Sequence, residues 1–314
     1  MFAREWRVEG CRICEMSDGA RHVFVATQLG IKDIDAYGHI WYGNYMKFFA
    51  RAVCAFLGPA TVRRVEHLKY KKSIAWGAAD SRIESYLVAR PTSATALVYQ
   101  RWCVGDSDDN ALCLCLVELG PHAASDVPVM EGSARLDRKG PKLAMAVKNL
   151  QTGAVKPPGE GGAPIGRLVA RRTIFADMLP SGARHLQLVD VMDLFEQSRS
   201  EVVGGQPGLK AFLAAGLTLV VGQIDELVLA DAGAELDELV LGDAQLRCEV
   251  TLLRETVGRR CFEFEQRLSK PSGAEVARVR VLMCCVDPAK GELSAVPDSY
   301  WAQWNATLGE FGTE

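Results

Sequence analysis

The stretch of the chain that decides the fold reads Asp33-Ile34-Asp35-Ala36-Tyr37-Gly38-His39-Ile40-Trp41-Tyr42-Gly43-Asn44-Tyr45-Met46-Lys47-Phe48-Phe49-Ala50-Arg51. It begins with an acidic segment, turns at a glycine, and continues into a segment whose apolar residues recur every three or four positions. These residues are Tyr45, Phe48, Phe49, Ala52 and Phe56. The spacing predicts an amphipathic helix with one buried face. A face with so many aromatic rings requires a sheet to cover it.

The acidic segment carries a candidate catalytic carboxylate. Asp35 precedes Gly38 by three residues, and the predicted helix begins shortly after that glycine. Free backbone amides and the positive end of the helix dipole suit an oxygen that gains negative charge during a reaction. An aspartate at this position also fits a helix cap or an Asx turn, and Asp33 competes for either role.

The order of acidic, glycine, histidine and aromatic residues in this stretch resembles the signature loop and helix of the hotdog-fold acyl-CoA thioesterases, the 4-hydroxybenzoyl-CoA thioesterase family. The resemblance is specific over about twenty residues. It implies an α+β fold in which an antiparallel sheet wraps around one long helix. It also implies that Asp35 attacks a thioester or activates water against it. The family helix often carries an acidic residue and an arginine after its aromatic pair, and here Ala50 and Val53 fill those places.

The same resemblance implies a set of site residues in this segment. They are Asp35, Gly38 and His39 for catalysis, and Ile40, Asn44 and Tyr45 for substrate binding. A backbone amide at His39 or Ile40 is the preferred oxyanion donor, because a loop hydrogen bond explains the His39 imidazole equally well. Tyr45 lies on the predicted apolar face, so a place in the core is the alternative for it.

The second half of the chain repeats the order of strand, loop, helix and strands. Its loop carries Asp177 and His185, which we expect to contact substrate. On the helix that follows, Phe195-Glu196-Gln197-Ser198-Arg199 resembles the family's acid–arginine pattern better than the first copy does. Glu196 is therefore a further catalytic candidate. The alternative is a solvated helix acid that pairs with Arg199 at a spacing of three.

The length of 314 residues predicts two domains. We predict a hotdog domain over 1–125, a linker over 126–165 and a second hotdog domain over 166–314, since 157–164 is rich in proline and glycine. One hotdog alone leaves a sheet edge and a helix flank uncovered, so the two copies are expected to pair internally. The sequence does not decide whether the whole chain also forms a homodimer.

Apolar patterns and turn residues predict the remaining elements. Strands are expected over 22–29, 65–74, 81–89, 94–104 and 111–119 in the first half, and over 167–175, 245–254, 260–268 and 275–286 in the second. The second half contains about eighteen extra residues after its helix. We expect them to form a helical insertion near 208–215 and a long loop near 230–238. The residues around Cys11 and Cys14 are expected to form a flexible N-terminal extension.

Composition excludes several classes of protein. Hydrophobic residues make up 48% and charged residues 24%, as in a globular protein with a full core. The net charge of −3 is too close to zero to indicate a nucleic acid or an anionic membrane as partner. No apolar run approaches the roughly 18 residues that span a bilayer. The N-terminus lacks the apolar segment of a secretory signal, so we expect a cytoplasmic protein.

The ten cysteines do not form a recognisable disulfide or metal framework. Cys113 and Cys115 alternate within an apolar run, which is typical of small core residues in a reduced, intracellular protein. Cys11 and Cys14 form a lone C-x-x-C, and no second ligand pair at zinc spacing follows. We therefore expect no metal.

The function implied by the resemblance is hydrolysis of acyl thioesters of coenzyme A or acyl carrier protein. No cofactor is expected, since coenzyme A or phosphopantetheine belongs to the substrate, and no phosphate-binding loop or serine elbow appears. One alternative is a dehydratase, or an acyltransferase or decarboxylase of polyketide or fatty-acid biosynthesis. Another is a non-catalytic acyl-binding module. Likeness of fold alone does not choose among them.

Overall fold

The chain is organised as two compact units, Met1–Pro157 and Pro158–Glu314, in a computed structural model. The model describes residues 2–8, 11–16, 21–25, 42–58, 60–71, 81–92, 95–104, 111–122, 164–173, 188–230, 245–256 and 258–310. The boundary between the units falls inside the segment that the sequence predicts as a linker, and most of that segment lies outside the described residues.

Unit 1 contains an antiparallel sheet and a long helix. Its described elements are β1 (Phe2–Val8), β2 (Cys11–Met16), β3 (Arg21–Val25), α1 (Tyr42–Leu57), β4 (Ala60–Tyr70), β5 (Ser81–Thr92), β6 (Thr95–Val104) and β7 (Ala111–His122). Hydrogen bonds join the strands in the order β1-β2-β3-β5-β6-β7-β4, and each neighbouring pair is antiparallel. The helix follows β3 in the chain.

Unit 2 repeats this arrangement and adds helices. Its described elements are β8 (Gly166–Thr173), α2 (Leu188–Val202), α3 (Gly205–Ala214), β9 (Thr218–Leu229), β10 (Gln245–Thr256), β11 (Cys261–Ser269), β12 (Glu275–Asp287), β13 (Glu292–Leu293) and α4 (Asp298–Glu310). The antiparallel order is β9-β12-β11-β10-β8, and β13 pairs with β12. This order matches β4-β7-β6-β5-β3 of unit 1 strand for strand. The duplicated α+β architecture predicted from the sequence is therefore confirmed.

The helix of unit 1 buries its aromatic face against β6, which is the central strand of the five that unit 2 repeats. The indole of Trp102 lies 5.3, 5.0 and 6.2 Å, between ring centroids, from Tyr45, Phe48 and Phe49. These rings meet edge to face, the arrangement that aromatic quadrupoles favour. The helix ends at Gly58, whose φ of 77° lies in the left-handed region that glycine adopts without a steric penalty.

The added helices of unit 2 share an aromatic cluster. The Phe212 ring of α3 stacks 5.7 Å from Trp304 of α4, and Phe262 of β11 lies 5.2 Å from the same indole. At Gly166 on β8, a Cβ atom would lie 2.6 Å from the Cβ of Leu308. Only glycine therefore allows α4 to lie this close to β8. Within the described ranges, no helix is both long enough and apolar enough to cross a bilayer.

Most predicted elements are found within a few residues of their expected bounds, and the helical insertion is confirmed as α3. The flexible N-terminal extension is wrong, because residues around Cys11 and Cys14 form β1 and β2. Within β1 the apolar Trp6 and Val8 alternate with the charged Glu5 and Arg7, a pattern typical of a strand. The strand β9 and the helix α4 were not predicted. The expected loop near 230–238 lies almost entirely outside the described residues.

A buried ionic cluster joins β5 to β6. Glu84, only 1% exposed, accepts hydrogen bonds from Nε of Arg101, from Nε of Arg82 at 3.0 Å and from Oη of Tyr86 at 2.9 Å. Burial by itself raises the pKa of the Glu84 carboxyl. The hydrogen bonds and the charge of Arg101, together with the other two donors, outweigh it and lower the pKa to about 2.

This cluster predicts a loss of stability in acid. Because the pKa of Glu84 is lower in the folded state than its ordinary 4.5, the carboxylate stabilises the fold above that pH and loses its contribution as the pH falls toward 2. Glu84→Gln removes the buried charge that pairs with Arg101 and should cost about 3 kcal/mol or more at neutral pH. The same change should also reduce the decrease in the free energy of unfolding as the pH falls. Urea unfolding at a series of pH values measures both effects.

Glu263→Gln is the matched control for this prediction. Its partner Arg254 has a side chain that is 54% exposed, so the change should cost less than about 1 kcal/mol. Parallel pH profiles for wild type and Glu84→Gln would contradict the role given to the cluster.

Candidate active site

The structure describes three of the predicted site residues, Asn44, Tyr45 and Glu196. The other predicted site residues lie outside the described ranges: Asp35, Gly38, His39, Ile40, Asp177 and His185. Each unit is therefore described separately, from its helix and from the strands on which that helix rests.

Asn44 lies in the first turn of α1, close behind the predicted catalytic segment. Its side chain is buried, with 3% of the residue exposed, and its Oδ1 atom has no hydrogen-bond partner in the described part of the chain. A buried acceptor left unpaired costs about 1–3 kcal/mol. Such a group at the start of α1 is suited to accept a hydrogen bond from a ligand.

Tyr45 lies in the core, the alternative that its place on the apolar face left open. It is 2% exposed, and its ring lies 5.2 Å from Tyr70 and 5.3 Å from Trp102. Tyr70 in turn donates from Oη to the backbone oxygen of Tyr42 at 2.9 Å. Burial raises the pKa of the Tyr70 phenol, which keeps it protonated as a donor. These contacts fix the N-terminal end of the helix on β4 and β6.

Each unit holds its helix with a glutamine on the central strand. Nε2 of Gln100 donates to the backbone oxygen of Phe49 at 3.0 Å, and Nε2 of Gln266 donates to that of Phe195 at 2.8 Å. Both glutamines are fully buried. The partners are 51 residues apart in unit 1 and 71 in unit 2. The difference of twenty agrees with the insertion of about eighteen residues predicted from the sequence.

Neither glutamine was among the site residues predicted from the sequence. The available signal was a glutamine among the alternate apolar positions of a strand in both copies: Gln100 lies between Val98 and Trp102, and Gln266 between Phe264 and Leu268. A polar side chain at such a position must find a partner inside the protein, since burial without a hydrogen bond is costly.

In unit 2 the glutamine also accepts a hydrogen bond from a charged pair. Arg199, 2% exposed, donates from Nη1 to Oε1 of Gln266 at 2.7 Å and from Nη2 to the carboxylate of Glu196. The pairing of Glu196 with Arg199, which was the alternative to a catalytic role for Glu196, is confirmed. The Glu196 side chain keeps 33% of its surface exposed. The network therefore orients a carboxylate that solvent and ligands can still reach.

Unit 1 keeps the glutamine and lacks the charged pair. If Phe49 and Phe195 are aligned by the glutamine bonds that they share, the places of Glu196 and Arg199 are taken by Ala50 and Val53 of α1. This is the substitution expected from the family resemblance. The two helices therefore rest on the same support and carry different side-chain chemistry.

The thiols with shifted pKa values in the described strands are not activated nucleophiles. Burial raises the pKa of Cys248 to about 11, of Cys284 to about 12 and of Cys285 to about 11. A raised pKa disfavours the thiolate, which is the reactive form. Sγ of Cys284 lies 3.3 Å from Sγ of Cys261 on the neighbouring strand.

The chain is similar in fold to known structures over most of its length. No protein-family model and no curated protein sequence matches it. A structure described as an oleoyl thioesterase from Lactobacillus plantarum matches with a TM-score of 0.53 at 11% identity, over 84% of this chain and 94% of that one. The chain has the double-hotdog fold.

Two further structures match over a similar share of the chain. An acyl-ACP thioesterase from Bacteroides thetaiotaomicron matches with a TM-score of 0.51 at 10% identity, over 84% of this chain and 96% of that one. A 12:0-ACP thioesterase from Umbellularia californica matches with a TM-score of 0.51 at 14% identity, over 85% and 94%. At such identities the likeness establishes the fold and leaves the reaction to the residues of the site.

The network in unit 2 predicts a coupling between two buried residues. Arg199→Met and Gln266→Leu each remove one end of a buried hydrogen bond, so the second change should cost less once the first is made. We expect a coupling free energy of about 1–3 kcal/mol in a double-mutant cycle measured by urea unfolding. Additivity within about 0.5 kcal/mol would contradict the bond. The exposed Arg267→Met is the single-site control and should cost under about 1 kcal/mol.

Proposed function

We propose that the chain hydrolyses acyl thioesters of coenzyme A or of an acyl carrier protein. The fold match, over 84% to 85% of the chain, with three structures described as oleoyl or acyl-ACP thioesterases is compatible with this reaction, and the residues of the predicted catalytic segment carry the proposal. The segment from Asp35 to His39, with its carboxylate before a glycine and a helix, supports the same reaction.

In the proposed mechanism Asp35 is the general base or the nucleophile. As a base it takes a proton from water while the water oxygen adds to the thioester carbonyl carbon. As a nucleophile it forms an anhydride with the acyl group, which water then hydrolyses. In both cases the carbon–sulfur bond breaks and the sulfur leaves as a thiol after gaining a proton. Backbone amides at His39 or Ile40, after Gly38, stabilise the negative oxygen.

The remaining site residues are assigned to substrate. Asn44 is a binding residue in this proposal because its buried Oδ1 can accept a hydrogen bond from an amide of the pantetheine arm. Asp177 and His185 contact substrate from the second loop. Glu196 is a second catalytic candidate, because Arg199 orients its carboxylate while leaving it accessible.

The proposed reaction needs no cofactor, because water, a carboxylate and hydrogen-bond donors supply its steps. The partner is coenzyme A or an acyl carrier protein, which carries the acyl group. We propose that the protein works in the cytoplasm, where both carriers are found. A homodimer is compatible with this reaction and is not required by it.

The reaction class is tested with two substrate panels. Acyl-CoA thioesters of increasing chain length are assayed for free thiol, and β-hydroxyacyl thioesters are assayed for enoyl absorbance. Hydrolysis predicts thiol release without an enoyl signal. An enoyl signal without thiol would replace the proposal with a dehydratase, and binding without either product would indicate an acyl-binding module.

Asp35→Asn tests the assignment of the catalytic carboxylate. The amide keeps the shape of the side chain and its capacity to accept a capping hydrogen bond, and it removes the base. We expect kcat to fall about a hundredfold or more, with near-normal thermal melting. Asp33→Asn is the control and should lower kcat much less. If Asp35→Asn retains close to the wild-type rate, the assignment is wrong and Asp177 and Glu196 are tested next.

A further inference from the structure

The central strand of unit 1 presents a buried acceptor with which no group in the described part of the chain pairs. Gln100 donates both of its amide hydrogens, to the backbone oxygen of Phe49 and to Oγ of Ser85, each at 3.0 Å. Its Oε1 atom has no hydrogen-bond partner in the described part of the chain, although the residue is fully buried. Water does not reach this oxygen from the surface, so its pairing requires a group held inside the unit.

The equivalent oxygen in unit 2 is paired. There Oε1 of Gln266 accepts from the guanidinium of Arg199 at 2.7 Å. Val53 stands at the place of that arginine in unit 1 and carries no donor. The Trp102 indole does not replace the guanidinium, because its Nε1 donor has no hydrogen-bond partner in the described part of the chain.

Ser85 makes this position complementary to one kind of chemical group. Ser85 lies directly opposite Gln100 in the sheet, where unit 2 has the apolar Val250 opposite Gln266. The Ser85 hydroxyl accepts from Gln100, and no described residue accepts the hydrogen that the hydroxyl can itself donate. The pair thus offers one acceptor and one donor side by side. A hydroxyl group both donates and accepts, so it satisfies both atoms at once.

The position of this pair along the helix also constrains the ligand. Gln100 is bonded to α1 at Phe49, seven residues after the first helical residue, Tyr42. At a rise of 1.5 Å per residue this is about 10 Å from the start of the helix. The pair therefore lies well away from the N-terminal end of α1, where the thioester is proposed to react, and meets one point along an acyl chain.

We propose that Gln100 and Ser85 form a specificity site for a hydroxyl group on the acyl chain. The inference rests on the proposed thioesterase function and adds a substrate class to it, acyl chains hydroxylated at one position distant from the thioester. An unsubstituted chain leaves Oε1 of Gln100 unpaired in an apolar surrounding. A site built to pair with a hydroxyl discriminates strongly against the analogue that lacks it.

The test is a positional series of medium-chain hydroxyacyl-CoA thioesters that differ only in the carbon bearing the hydroxyl, with the unsubstituted thioester as reference. For wild type we expect kcat/KM to peak at one position, about tenfold or more above the reference. Ser85→Val introduces the residue of unit 2 and should reduce the peak while retaining the Gln100 bond to the helix. Gln100→Leu should abolish the peak.

Gln266→Leu is the matched control, because it removes the same bond to a helix carbonyl in the other unit. It should leave the ratio between hydroxylated and unsubstituted substrates unchanged, whatever it does to stability. A flat series in wild type, with every thioester hydrolysed equally, would mean that Gln100 holds only an ordered water and would overturn the inference. A peak that survives in both Ser85→Val and Gln100→Leu would overturn it as well.

Failure of the proposed function gives a different result. If no thioester in the series is hydrolysed, binding of the corresponding non-hydrolysable thioether analogues is measured by calorimetry. An affinity that peaks at one hydroxyl position and is lost in Gln100→Leu supports the hydroxyl site without the reaction. Equal affinity at all positions rejects the site.

Discussion

The hydrogen bond from a central-strand glutamine to a helix carbonyl is the constraint on which both units depend. In each unit a fully buried amide spans the gap between sheet and helix and fixes one residue of the helix over one residue of the strand. Apolar packing alone tolerates sliding of a helix over a sheet. A buried amide does not, because any shift leaves a polar group unpaired in an apolar layer. The bond therefore sets the register in which the aromatic face of each helix is buried.

A shared register makes the divergence of the two copies interpretable. Because Phe49 and Phe195 accept equivalent bonds, the residues that follow them can be compared one by one. Unit 2 has an acid and an arginine at places where unit 1 has Ala50 and Val53. Arg199 donates a hydrogen bond to Oε1 of Gln266 and orients Glu196. In unit 1 the equivalent Oε1 atom, that of Gln100, has no hydrogen-bond partner among the described residues. Duplication has thus preserved the support of the helix and separated the chemistry carried on it.

Much of this fold could be predicted from sequence, since periodicity and turn residues are local signals. The aromatic spacing from Tyr45 onward predicted α1. The N-terminal strands β1 and β2 were not predicted, although apolar and charged residues alternate from Glu5 to Val8. The strand β9 (Thr218–Leu229) lies between the expected helical insertion near 208–215 and the expected loop near 230–238, and no element was predicted for it, although its own pattern is that of a strand.

The site was less predictable, because its decisive contacts join residues far apart in the chain. No local pattern shows that Gln266 reaches Phe195, or that Val53 leaves an acceptor unpaired at Gln100. The pairing of Glu196 with Arg199 was predicted because both lie on one helix at a spacing of three. The role of Asp35 rests on resemblance and on the chemistry of the segment that contains it.

The most direct test of the central claim, that the chain hydrolyses thioesters, is isotope incorporation from water. The protein is incubated over many turnovers with an acyl-CoA thioester in water enriched in oxygen-18, and the acyl product is analysed by mass spectrometry. Hydrolysis places a water-derived oxygen in the carboxylate of the free acid by either path through Asp35. Recovery of an unlabelled acyl product, or of an enoyl thioester in place of the acid, would contradict the account.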